Sequence, residues 1–391
     1  RRNEVLVELI DFNTDNFDEI LGAKHGLAGM LGEDFVDLSN LSESQLYGMG
    51  KTPAAALGSV RQKPSDSDIE KLISIFEKQN IRNFFYIGGN DSAETANLVS
   101  EGAKNIGYEM KAFHIPKTID NDLRETDHCP GYGSAARFVA HAFQGDDADN
   151  RSLGGIKINV LMGRHAGWMA ASSVLARSEY QSAPHIILLP EITFNQKRFL
   201  DEVRGCVKNE GYCVVVVSEG VKNYRGNFLA ESDTKDAFGH AQLGGVAPFI
   251  SSLVSKNLKM KNHWAVADYL QRSARHIASQ TDLEHAQAVG RYAVKYAVEG
   301  MNGTMPVIKR LPTKSYSWSI EPAPLSKIAN LEKKLPKSFI TKNGFGVTKK
   351  GVEYLQPLIK GEAKTAFKNG LPEIKKLKLE LVKKKLGAWD I

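Results

Sequence analysis

The segment PKTIDND at positions 116–122 places a cation, a hydroxyl and two carboxylates within a few residues. It follows a strand-like apolar run at positions 110–115. A carboxylate that reaches a hydroxyl can accept its proton, so Asp120 or Asp122 is a candidate general base. Lys117 is a candidate cation for neutralising phosphate charge. The alternative interpretation is an Asx-type turn in which the aspartates cap backbone N–H groups.

A second motif, GGNDS, follows the apolar run NFFYI. Gly88 and Gly89 allow a backbone to approach a phosphate closely, and the N-terminus of a following helix offers N–H groups to an anion. Asn90 and Asp91 add a carbonyl oxygen and a carboxylate, which suit a magnesium-bridged phosphate. A tight turn without a ligand is the competing interpretation of the glycine pair.

Two further motifs, MGRHAG and SEG, also end apolar runs. Arg164 suits a phosphate or sugar oxygen, and its alternative interpretation is a surface arginine beside a glycine turn. Glu219 follows the run YCVVVV, where a carboxylate is costly unless it is paired or bound, for example to a sugar hydroxyl. Helix capping is the alternative role for Glu219. His165 is interpreted as a structural or supporting residue, because the carboxylates already supply candidate bases.

All these motifs follow one plan, in which a β-branched or aromatic run ends in a polar motif and a helical pattern comes next. Besides 110–115, the predicted strands are 83–87, 156–161, 185–189 and 212–217. Strands that alternate with helices predict an α/β fold with parallel sheets, in which ligands lie beyond the carboxyl ends of the strands. The motifs are therefore expected to line one cleft.

Three other segments are interpreted from composition and periodicity. The glycine-rich and polar stretch at 145–155 is the candidate domain boundary. Residues 261–300 are predicted to form long helices. The basic tail PEIKKLKLELVKKK is interpreted as a solvated helix face rather than an anion-binding segment.

Composition restricts the class of protein further. The chain has 391 residues, enough for two domains with cores, and its charge of +6 (51 basic minus 45 acidic residues) suits small anionic substrates. That excess is too diffuse to indicate nucleic-acid binding, and no apolar run has the length of a membrane span. The cysteines, Cys129, Cys206 and Cys213, form no CxxC pair and no disulfide framework. Without a signal-peptide pattern at its start, the chain is expected in the cytoplasm.

Taken together, the motifs resemble those of the phosphofructokinase superfamily. GGNDS, PKTIDND, TDHCPGYGSAA, MGRHAG, VSEG and FGHAQLGG occur in the order and at the intervals of that family. The resemblance extends from HGLAGML and TPAAALGSVR to YSWSIEPAPLSKIANLEKKLP. It implies two doubly wound Rossmann-like domains with parallel-dominated sheets and an active site in the cleft at the carboxyl ends of the strands. The domains are expected at 1–151 with 242–302 for the phosphoryl donor, and at 152–241 with 303–391 for the sugar phosphate.

The resemblance also implies roles for individual residues. Thr118 and Asp120 would hold the sugar phosphate, and Asp120 would take the proton from the attacking 1-hydroxyl, with Asp122 supporting the site. The other implied sugar-phosphate residues are Met162, Gly163, Arg164, Glu219, Tyr269 and Arg272. The implied diphosphate residues are Gly88, Gly89, Arg61 and Lys117, with Asn90 as a ligand of Mg²⁺.

Two positions predict the phosphoryl donor. ATP-using members of the family carry glycine where this chain has Asp91 and Lys117, and diphosphate-using members carry aspartate and lysine. A carboxylate at position 91 would repel and block the α-phosphate of a nucleotide, whereas a lysine suits a small, dense anion. The chain thus resembles enzymes that transfer a phosphoryl group reversibly between diphosphate and fructose 6-phosphate. A homodimer or a homotetramer is expected, in which partner subunits can complete the sugar site.

Three departures from the family pattern stand out. Asn90 occupies the position of a magnesium-binding aspartate in many members, and its neutral carbonyl should bind the ion more weakly. Leu243 replaces an arginine of ATP-using members, a role that Arg272 is expected to take. No counterpart of the strand and glycine-rich loop that open family members precedes His25, so an N-terminally truncated or divergent form is expected.

Two other functions stay open. One is an ATP-dependent phosphofructokinase, which Asp91 and Lys117 disfavour. The other is a non-catalytic paralogue that binds sugar phosphate, which Asn90 and the missing loop favour and the TID and MGR motifs oppose.

Overall fold

The computed structural model describes residues 2–13, 16–180, 182–229, 245–375 and 379–386. The strands are β1 (Leu21–Ala23), β2 (Phe35–Asp37), β3 (Asn83–Gly88), β4 (Lys111–Pro116), β5 (Gly155–Leu161), β6 (Ile186–Leu188), β7 (Tyr212–Ser218), β8 (Asn262–Val266), β9 (Thr304–Arg310), β10 (Trp318–Pro324), β11 (Phe367–Lys368) and β12 (Leu371–Pro372). The helices are α1 (Arg2–Asn13), α2 (Leu27–Leu31), α3 (Glu43–Lys51), α4 (Asp66–Gln79), α5 (Asn90–Asn105), α6 (Tyr132–Leu153), α7 (Trp168–Ser172), α8 (Gln196–Glu210), α9 (Val246–Leu258), α10 (Leu270–Ser273), α11 (Gln280–Val298) and α12 (Lys349–Leu355).

Two four-stranded sheets organise the molecule. The first has the order β10-β9-β4-β3, and the second has the order β6-β7-β5-β8. Strands β3, β4 and β9 run parallel, and β10 is antiparallel to β9. All pairs in the second sheet are parallel. The prediction of an α/β fold with parallel-dominated sheets is confirmed, and its strands agree with the observed ones to within one or two residues.

The buried strands explain why the sheets form where they do. Every residue of β7 is buried, because its run of β-branched valines is covered on both faces. Helix α4 begins at a capping box of Ser65 and Asp68, and its buried stripe of Ile69, Leu72, Ile73, Ile75 and Phe76 packs toward the first sheet. It ends at Asn80, whose φ of 57° is left-handed.

The candidate domain boundary at 145–155 stays a prediction: the stretch covers the end of α6 and the start of β5, where the chain passes to the second sheet. Two other sequence-based assignments are wrong. The predicted helical stretch 261–300 begins with strand β8 and becomes a long helix only at α11. In the part of the tail that the structure describes, Leu381 forms a β-bridge to Val36 of β2 instead of lying on a helix. Each error arises because contacts distant in sequence override local composition.

The strand order also corrects the predicted division of the C-terminal half. Segment 303–391 is predicted to lie with the second sheet, yet β9 and β10 extend the first sheet. A later part of the segment agrees with the prediction, since Ile187 of β6 donates to the carbonyl of Phe345 and buried side chains between 335 and 358 pack on the second sheet. Segment 242–302 was assigned with the first sheet, yet β8 pairs with β5 in the second. Only α11 of that segment packs as expected, against α1 and β4. The chain therefore returns to the first sheet after β8, later than the sequence suggested.

Two further observations concern the molecule as a whole. No helix in the described ranges combines the length and the apolar character needed to cross a bilayer. Cys206 and Cys213 lie close together beside His185, with their ligand atoms within 4.8 Å of one another, although their spacing in sequence gave no sign of it.

Candidate active site

Two of the motifs meet at the carboxyl edge of the first sheet. Gly88 ends β3 and is the register partner of Pro116, which ends β4. The backbone N–H of Lys117 donates to the carbonyl of Gly88 at 2.8 Å. A Cβ atom at position 88 would lie 2.0 Å from Oγ of Ser92, so glycine is required where the chain turns into α5. GGNDS and PKTIDND are thus held side by side, as predicted from their positions at strand ends.

The TID segment forms a compact turn. The Thr118 hydroxyl accepts a hydrogen bond from the backbone N–H of Asp120 and donates to Asp120 Oδ2, both at 3.1 Å. Thr118 is buried, whereas Asp120 is partly exposed. The threonine therefore orients the carboxylate. The hydroxyl of Thr118, and not the carboxylate of Asp120, accepts the backbone N–H of this turn.

Asn90 and Asp122 form a polar pair at the same edge. The Asn90 amide donates to Asp122 Oδ2 at 2.8 Å. The remaining oxygens, Asn90 Oδ1 and Asp122 Oδ1, are buried and have no hydrogen-bond partner among the described residues. Burial and the nearby charge of Asp120 raise the pKa of Asp122 to about 7. Two buried, unsatisfied oxygens of amide and carboxylate type are the donor set that a hard cation prefers, so the pair fits Mg²⁺.

The other two motifs meet at the carboxyl edge of the second sheet. Leu161 and Ser218, at the ends of β5 and β7, are register partners. Gly163 has a φ of 143°, and its carbonyl accepts a hydrogen bond from the Ser218 hydroxyl at 2.6 Å. Its N–H donates to Glu219 Oε1 at 3.4 Å. The backbone of Gly163 in the MGR motif is thereby joined to the side chains of Ser218 and Glu219 in the SEG motif.

Charged residues that follow strands of both sheets affect the pKa of Glu219. Burial raises the pKa of Glu219 to about 7, and the negative charges of Asp120 and Asp268 contribute in the same direction. The charge of Arg164 and the N–H of Gly163 oppose that rise. Because Asp120 belongs to the first sheet and Glu219 to the second, the ends of the two sheets face one shared cleft.

Asp91 has an ion-pair partner that the motifs did not reveal. Lys63 Nζ lies 3.1 Å from Asp91 Oδ1 and 3.0 Å from Glu94 Oε2. The hydrogen bond to Glu94 raises the pKa of Lys63 despite its partial burial, and the charge of Asp91 adds to the effect. Lys63 lies two residues after the candidate diphosphate residue Arg61, in the segment TPAAALGSVRQK. That proximity in sequence is the signal by which Lys63 could have been identified.

Residues expected on opposite sides of the cleft come together at its rim. The guanidinium of Arg61 donates to the hydroxyl of Tyr269 at 3.1 Å. The guanidinium of Arg272 stacks on the Tyr269 ring, 3.9 Å from its centroid. The predicted diphosphate residue and the predicted sugar residues are therefore neighbours. Met162 follows β5 directly and is partly buried beside Gly163. Leu243 lies outside the described residues.

The family follows from a comparison with known sequences. The family model described as phosphofructokinase matches residues 2–297. The chain belongs to the phosphofructokinase family. The family predicted from the motifs is thus confirmed.

Several members of the phosphofructokinase family are highly similar over almost the full chain. A pyrophosphate--fructose 6-phosphate 1-phosphotransferase of Xanthomonas campestris is 47% identical over 383 residues, covering 95% of this chain and 92% of the relative. A protein of the same name from Halomonas elongata is 44% identical, with coverage of 99% and 94%. The crystal structure of a pyrophosphate-dependent phosphofructokinase from Nitrosospira multiformis superimposes with a TM-score of 0.92 at 42% identity, covering 99% and 96%.

The turn that holds the candidate base Asp120 is braced by long-range contacts that the motifs did not predict. Lys333 donates from its side chain to the carbonyls of Thr126 and Asp127 at 2.9 and 3.0 Å. Its own backbone N–H donates to the carbonyl of Asp122 at 2.6 Å. Asn121 has a left-handed φ of 53°, and its amide donates to the hydroxyl of Tyr354 at 2.9 Å. These contacts span more than two hundred residues of sequence, which periodicity cannot detect.

Proposed function

We propose that this chain transfers a phosphoryl group reversibly between diphosphate and the 1-hydroxyl of fructose 6-phosphate. The names of its similar relatives, pyrophosphate--fructose 6-phosphate 1-phosphotransferases, support this activity. The observation that carries the proposal is the position of Asp91, whose carboxylate is held 3.1 Å from Lys63 at the start of α5. A fixed negative charge there disfavours the longer phosphate chain of a nucleotide, while the nearby cations favour diphosphate.

Asp120 is the general base of the proposed reaction. Its carboxylate is oriented by the Thr118 hydroxyl and is positioned to accept the proton of the 1-hydroxyl as that oxygen attacks phosphorus. Lys117 follows β4, and its backbone is fixed to Gly88, which places the residue at the edge of the sheet where the diphosphate would bind. Gly88, Gly89 and Arg61 complete the donor side. Phosphoryl transfer depends mostly on positioning and charge stabilisation, which these residues supply.

Mg²⁺ is the proposed cofactor, held by Asn90 Oδ1 and Asp122 Oδ1. Both oxygens are buried and lack a partner among the described residues. When bound, the ion would supply positive charge that neutralises the diphosphate. The hydrogen bond between Asn90 and Asp122 sets the orientation of both side chains before any ligand arrives.

The sugar phosphate is proposed to lie across the second sheet. Glu219, joined to the N–H of Gly163, faces Asp120 across the cleft and would bind a sugar hydroxyl. Arg164 and Met162 stand beside it. Arg272 and Tyr269 at the rim would bind the 6-phosphate, since a guanidinium makes strong charge-assisted contacts with phosphate oxygens.

A homodimer is the proposed assembly. Strand β8 is at one edge of the second sheet, and its Trp264 and Val266 are 49% and 41% exposed. Leu270 nearby is 65% exposed. An exposed apolar cluster of this kind marks a protein-protein contact, and a second copy of the chain would cover it. Sedimentation velocity on wild type and on Trp264→Asp tests this, because the proposal requires a dimer that the variant weakens; a wild-type monomer would contradict it, and a tetramer would correct the size.

The proposed location is the cytoplasm. The cysteines, Cys129, Cys206 and Cys213, are free thiols, which suits a reducing compartment.

One assay tests the proposed activity against its two rivals. Fructose 6-phosphate and Mg²⁺ are supplied with either diphosphate or ATP, and fructose 1,6-bisphosphate formation is measured. Turnover with diphosphate and little with ATP is expected. A strong preference for ATP would make the chain an ATP-dependent phosphofructokinase. Sugar-phosphate binding without turnover under either condition would make it a non-catalytic paralogue.

A further inference from the structure

A cluster of two thiols and an imidazole lies at the amino edge of the second sheet. Sγ of Cys206, Sγ of Cys213 and a ring nitrogen of His185 lie within 4.8 Å of one another. Cys206 belongs to α8, Cys213 is the second residue of β7, and His185 directly precedes β6. The MGR and SEG motifs follow the opposite, carboxyl ends of the strands, so the cluster is separate from the candidate active site.

The two thiols differ in their access to solvent. Cys213 is 0% exposed and lies in the apolar core between α8 and the sheet, together with Phe199 and Val203. Cys206 is only partly buried, and the exposed residues 208–210 at the end of α8 follow it closely. A small reagent can therefore reach Cys206 from solvent, whereas the core shields Cys213.

The ring of His185 is held as a hydrogen-bond donor toward the cluster. Its Nδ1 accepts the backbone N–H of Val214 at 2.9 Å, so the proton of the neutral ring lies on Nε2, which is 3.1 Å from the Ser182 hydroxyl. This tautomer can donate to a thiolate. Metal binding at Nδ1 would displace the Val214 N–H, and metal binding at Nε2 would move the ring proton to where that N–H already points. The arrangement therefore favours thiol chemistry over metal coordination.

Contacts within the cluster make Cys206 the more acidic thiol. The hydrogen bond with Cys213 lowers the pKa of Cys206 to about 6, and the contact with His185 acts in the same direction, against the effect of burial. The same hydrogen bond, together with burial, raises the pKa of Cys213. The thiolate is the form of cysteine that attacks oxidants. Cys206 thus has the exposure and the charge state of an attacking thiol, and Cys213 lies beside it as a protonated partner.

We propose that Cys206 is a site of reversible oxidation by peroxides and that Cys213 closes a disulfide with it. The Cys206 thiolate attacks one oxygen of hydrogen peroxide and becomes a sulfenic acid, while the other oxygen leaves as hydroxide. The Cys213 sulfur then attacks the sulfur of Cys206, and its proton leaves with the sulfenic hydroxyl as water. In total, the two thiols give two electrons to the peroxide, and an external thiol can reverse the reaction. The site does not depend on the proposed phosphoryl transfer.

The chain between the two cysteines allows the sulfur atoms to meet. A disulfide bond of about 2.05 Å requires sulfurs that lie within 4.8 Å to approach by less than about 3 Å. Gly211, which ends α8 with a φ of 80°, has open space where a Cβ would lie, so the turn into β7 can adjust. As a thiol, Cys206 donates only a long hydrogen bond of 3.4 Å to the carbonyl of Tyr212, which oxidation removes.

Oxidation of the full chain with limiting hydrogen peroxide tests the assignment. A chelator removes adventitious metal ions, and the remaining thiols are counted after denaturation. Wild type should lose two of its three thiols and retain the buried Cys129. Trypsin cuts between the two reacting cysteines, after Lys208, so the disulfide should join peptides 205–208 and 209–222 until a reductant separates them.

Three alanine variants separate the two chemical steps. In Cys206→Ala, the buried Cys213 should stay reduced, and no linked peptides should form. In Cys213→Ala, Cys206 should still react, and dimedone should trap its sulfenic acid. Cys129→Ala is the matched control and should form the linked peptides as wild type does.

Several results would overturn the proposal. One is a Cys206 that stays reduced under peroxide that oxidises free glutathione, and another is loss of Cys129 at the same rate as Cys206. Oxidation of Cys206 to a sulfinic acid in wild type, without linked peptides, would exclude Cys213 as the closing thiol. Protection of both thiols by one added Zn²⁺ per chain, in the absence of chelator, would make the cluster a metal site instead.

Discussion

The Asn90 side chain donates its N–H to the Asp122 carboxylate at 2.8 Å, and each residue keeps one further oxygen buried without a partner in the described part of the chain. An unsatisfied buried oxygen is destabilising by about 1–3 kcal/mol, so two adjacent ones need a reason. A cation bound by both oxygens would remove this destabilisation, which supports the proposed metal site.

Asn90→Asp should bind Mg²⁺ more tightly than wild type. The substitution keeps the size of the side chain, replaces a neutral ligand oxygen with a charged one and replaces the hydrogen bond to Asp122 with a repulsion that the bound cation offsets. The Mg²⁺ concentration for half-maximal activity should fall, and direct Mn²⁺ binding by paramagnetic resonance should strengthen in parallel. Asn97→Asp on the same helix is the matched control and should change neither value. Weaker Mn²⁺ binding in Asn90→Asp would remove Asn90 from the proposed metal site.

The choice of phosphoryl donor should depend on Asp91 and Lys117. Asp91→Gly with Lys117→Gly should weaken the use of diphosphate and relieve the block on ATP, measured as the ratio of kcat/KM for the two donors. Lys63→Ala leaves the Asp91 charge without its partner at 3.1 Å, so it should weaken diphosphate use without improving ATP use. A double glycine variant that still excludes ATP would show that another feature blocks the nucleotide.

Asp120→Asn should lower kcat by roughly 10²–10⁴-fold, the usual contribution of a positioned base. Asparagine can still accept the Thr118 hydrogen bond, so the turn and the affinity for fructose 6-phosphate should change little. Single-turnover kinetics and equilibrium sugar binding separate the two effects. Near-normal turnover in Asp120→Asn, together with a large loss in Asp122→Asn, would move the base to Asp122.

Glu219 should make stability depend on pH. Its pKa is raised to about 7 in the folded chain from an ordinary 4.5, so the folded state retains a proton that the unfolded state releases between these values. Stability contributed by this group therefore falls as pH rises from about 4.5 to 7. Glu219→Gln removes the effect and should be more stable than wild type at pH 8 by about 1–3 kcal/mol, with little difference at pH 4.5.

Urea denaturation of wild type and Glu219→Gln at the two pH values measures this difference. Glu210→Gln at the exposed end of α8 is the control and should show no such pH dependence. A gain of equal size at both pH values would mean that packing, and not ionisation, explains the change.

Arg272→Ala should raise the KM for fructose 6-phosphate by about 10–100-fold, because it removes a charge-assisted contact with the 6-phosphate. The KM for diphosphate should move little. Tyr269→Phe keeps the ring on which Arg272 stacks and loses the hydroxyl that accepts from Arg61, so it should raise the KM for fructose 6-phosphate less than Arg272→Ala does. A loss confined to diphosphate binding would contradict the placement of Arg272.

The sequence predicted those parts of the fold that local pattern controls. Strands β3, β4, β5 and β7 are long β-branched or aromatic runs, and the polar motifs after them were rightly placed at one edge of each sheet. Strand β8 was missed because NHWAV is short and mostly exposed, so it lacks a clear periodic signal. The acidic stretch within α6 resembled a linker because it is rich in Gly, Asp and Asn, and its local composition does not show that Asp147 and Asn150 lie on the buried side of the helix.

The individual residues of the candidate site could be predicted from the sequence, but the contacts between its distant segments could not. Glycine at 88 follows from local geometry alone, since any side chain would meet Ser92. The partnership of Lys63 with Asp91, and that of Arg61 with Tyr269, joins segments whose proximity depends on the whole fold. Lys333 is a lysine in an ordinary basic run, and only its contact with the Thr126 and Asp127 carbonyls shows that it braces the turn.

The pairing of Phe113 in β4 with Thr304 in β9 has a consequence for synthesis of the chain. The ribosome finishes β3 and β4 early, yet the strand that covers their open edge emerges only after the whole second sheet, β5 to β8, has been made. The second sheet is continuous in sequence between residues 155 and 266 and can form as soon as it leaves the exit tunnel. The sheet translated second is thus expected to fold first, while the edge of β4 stays unpaired until β9 has been made.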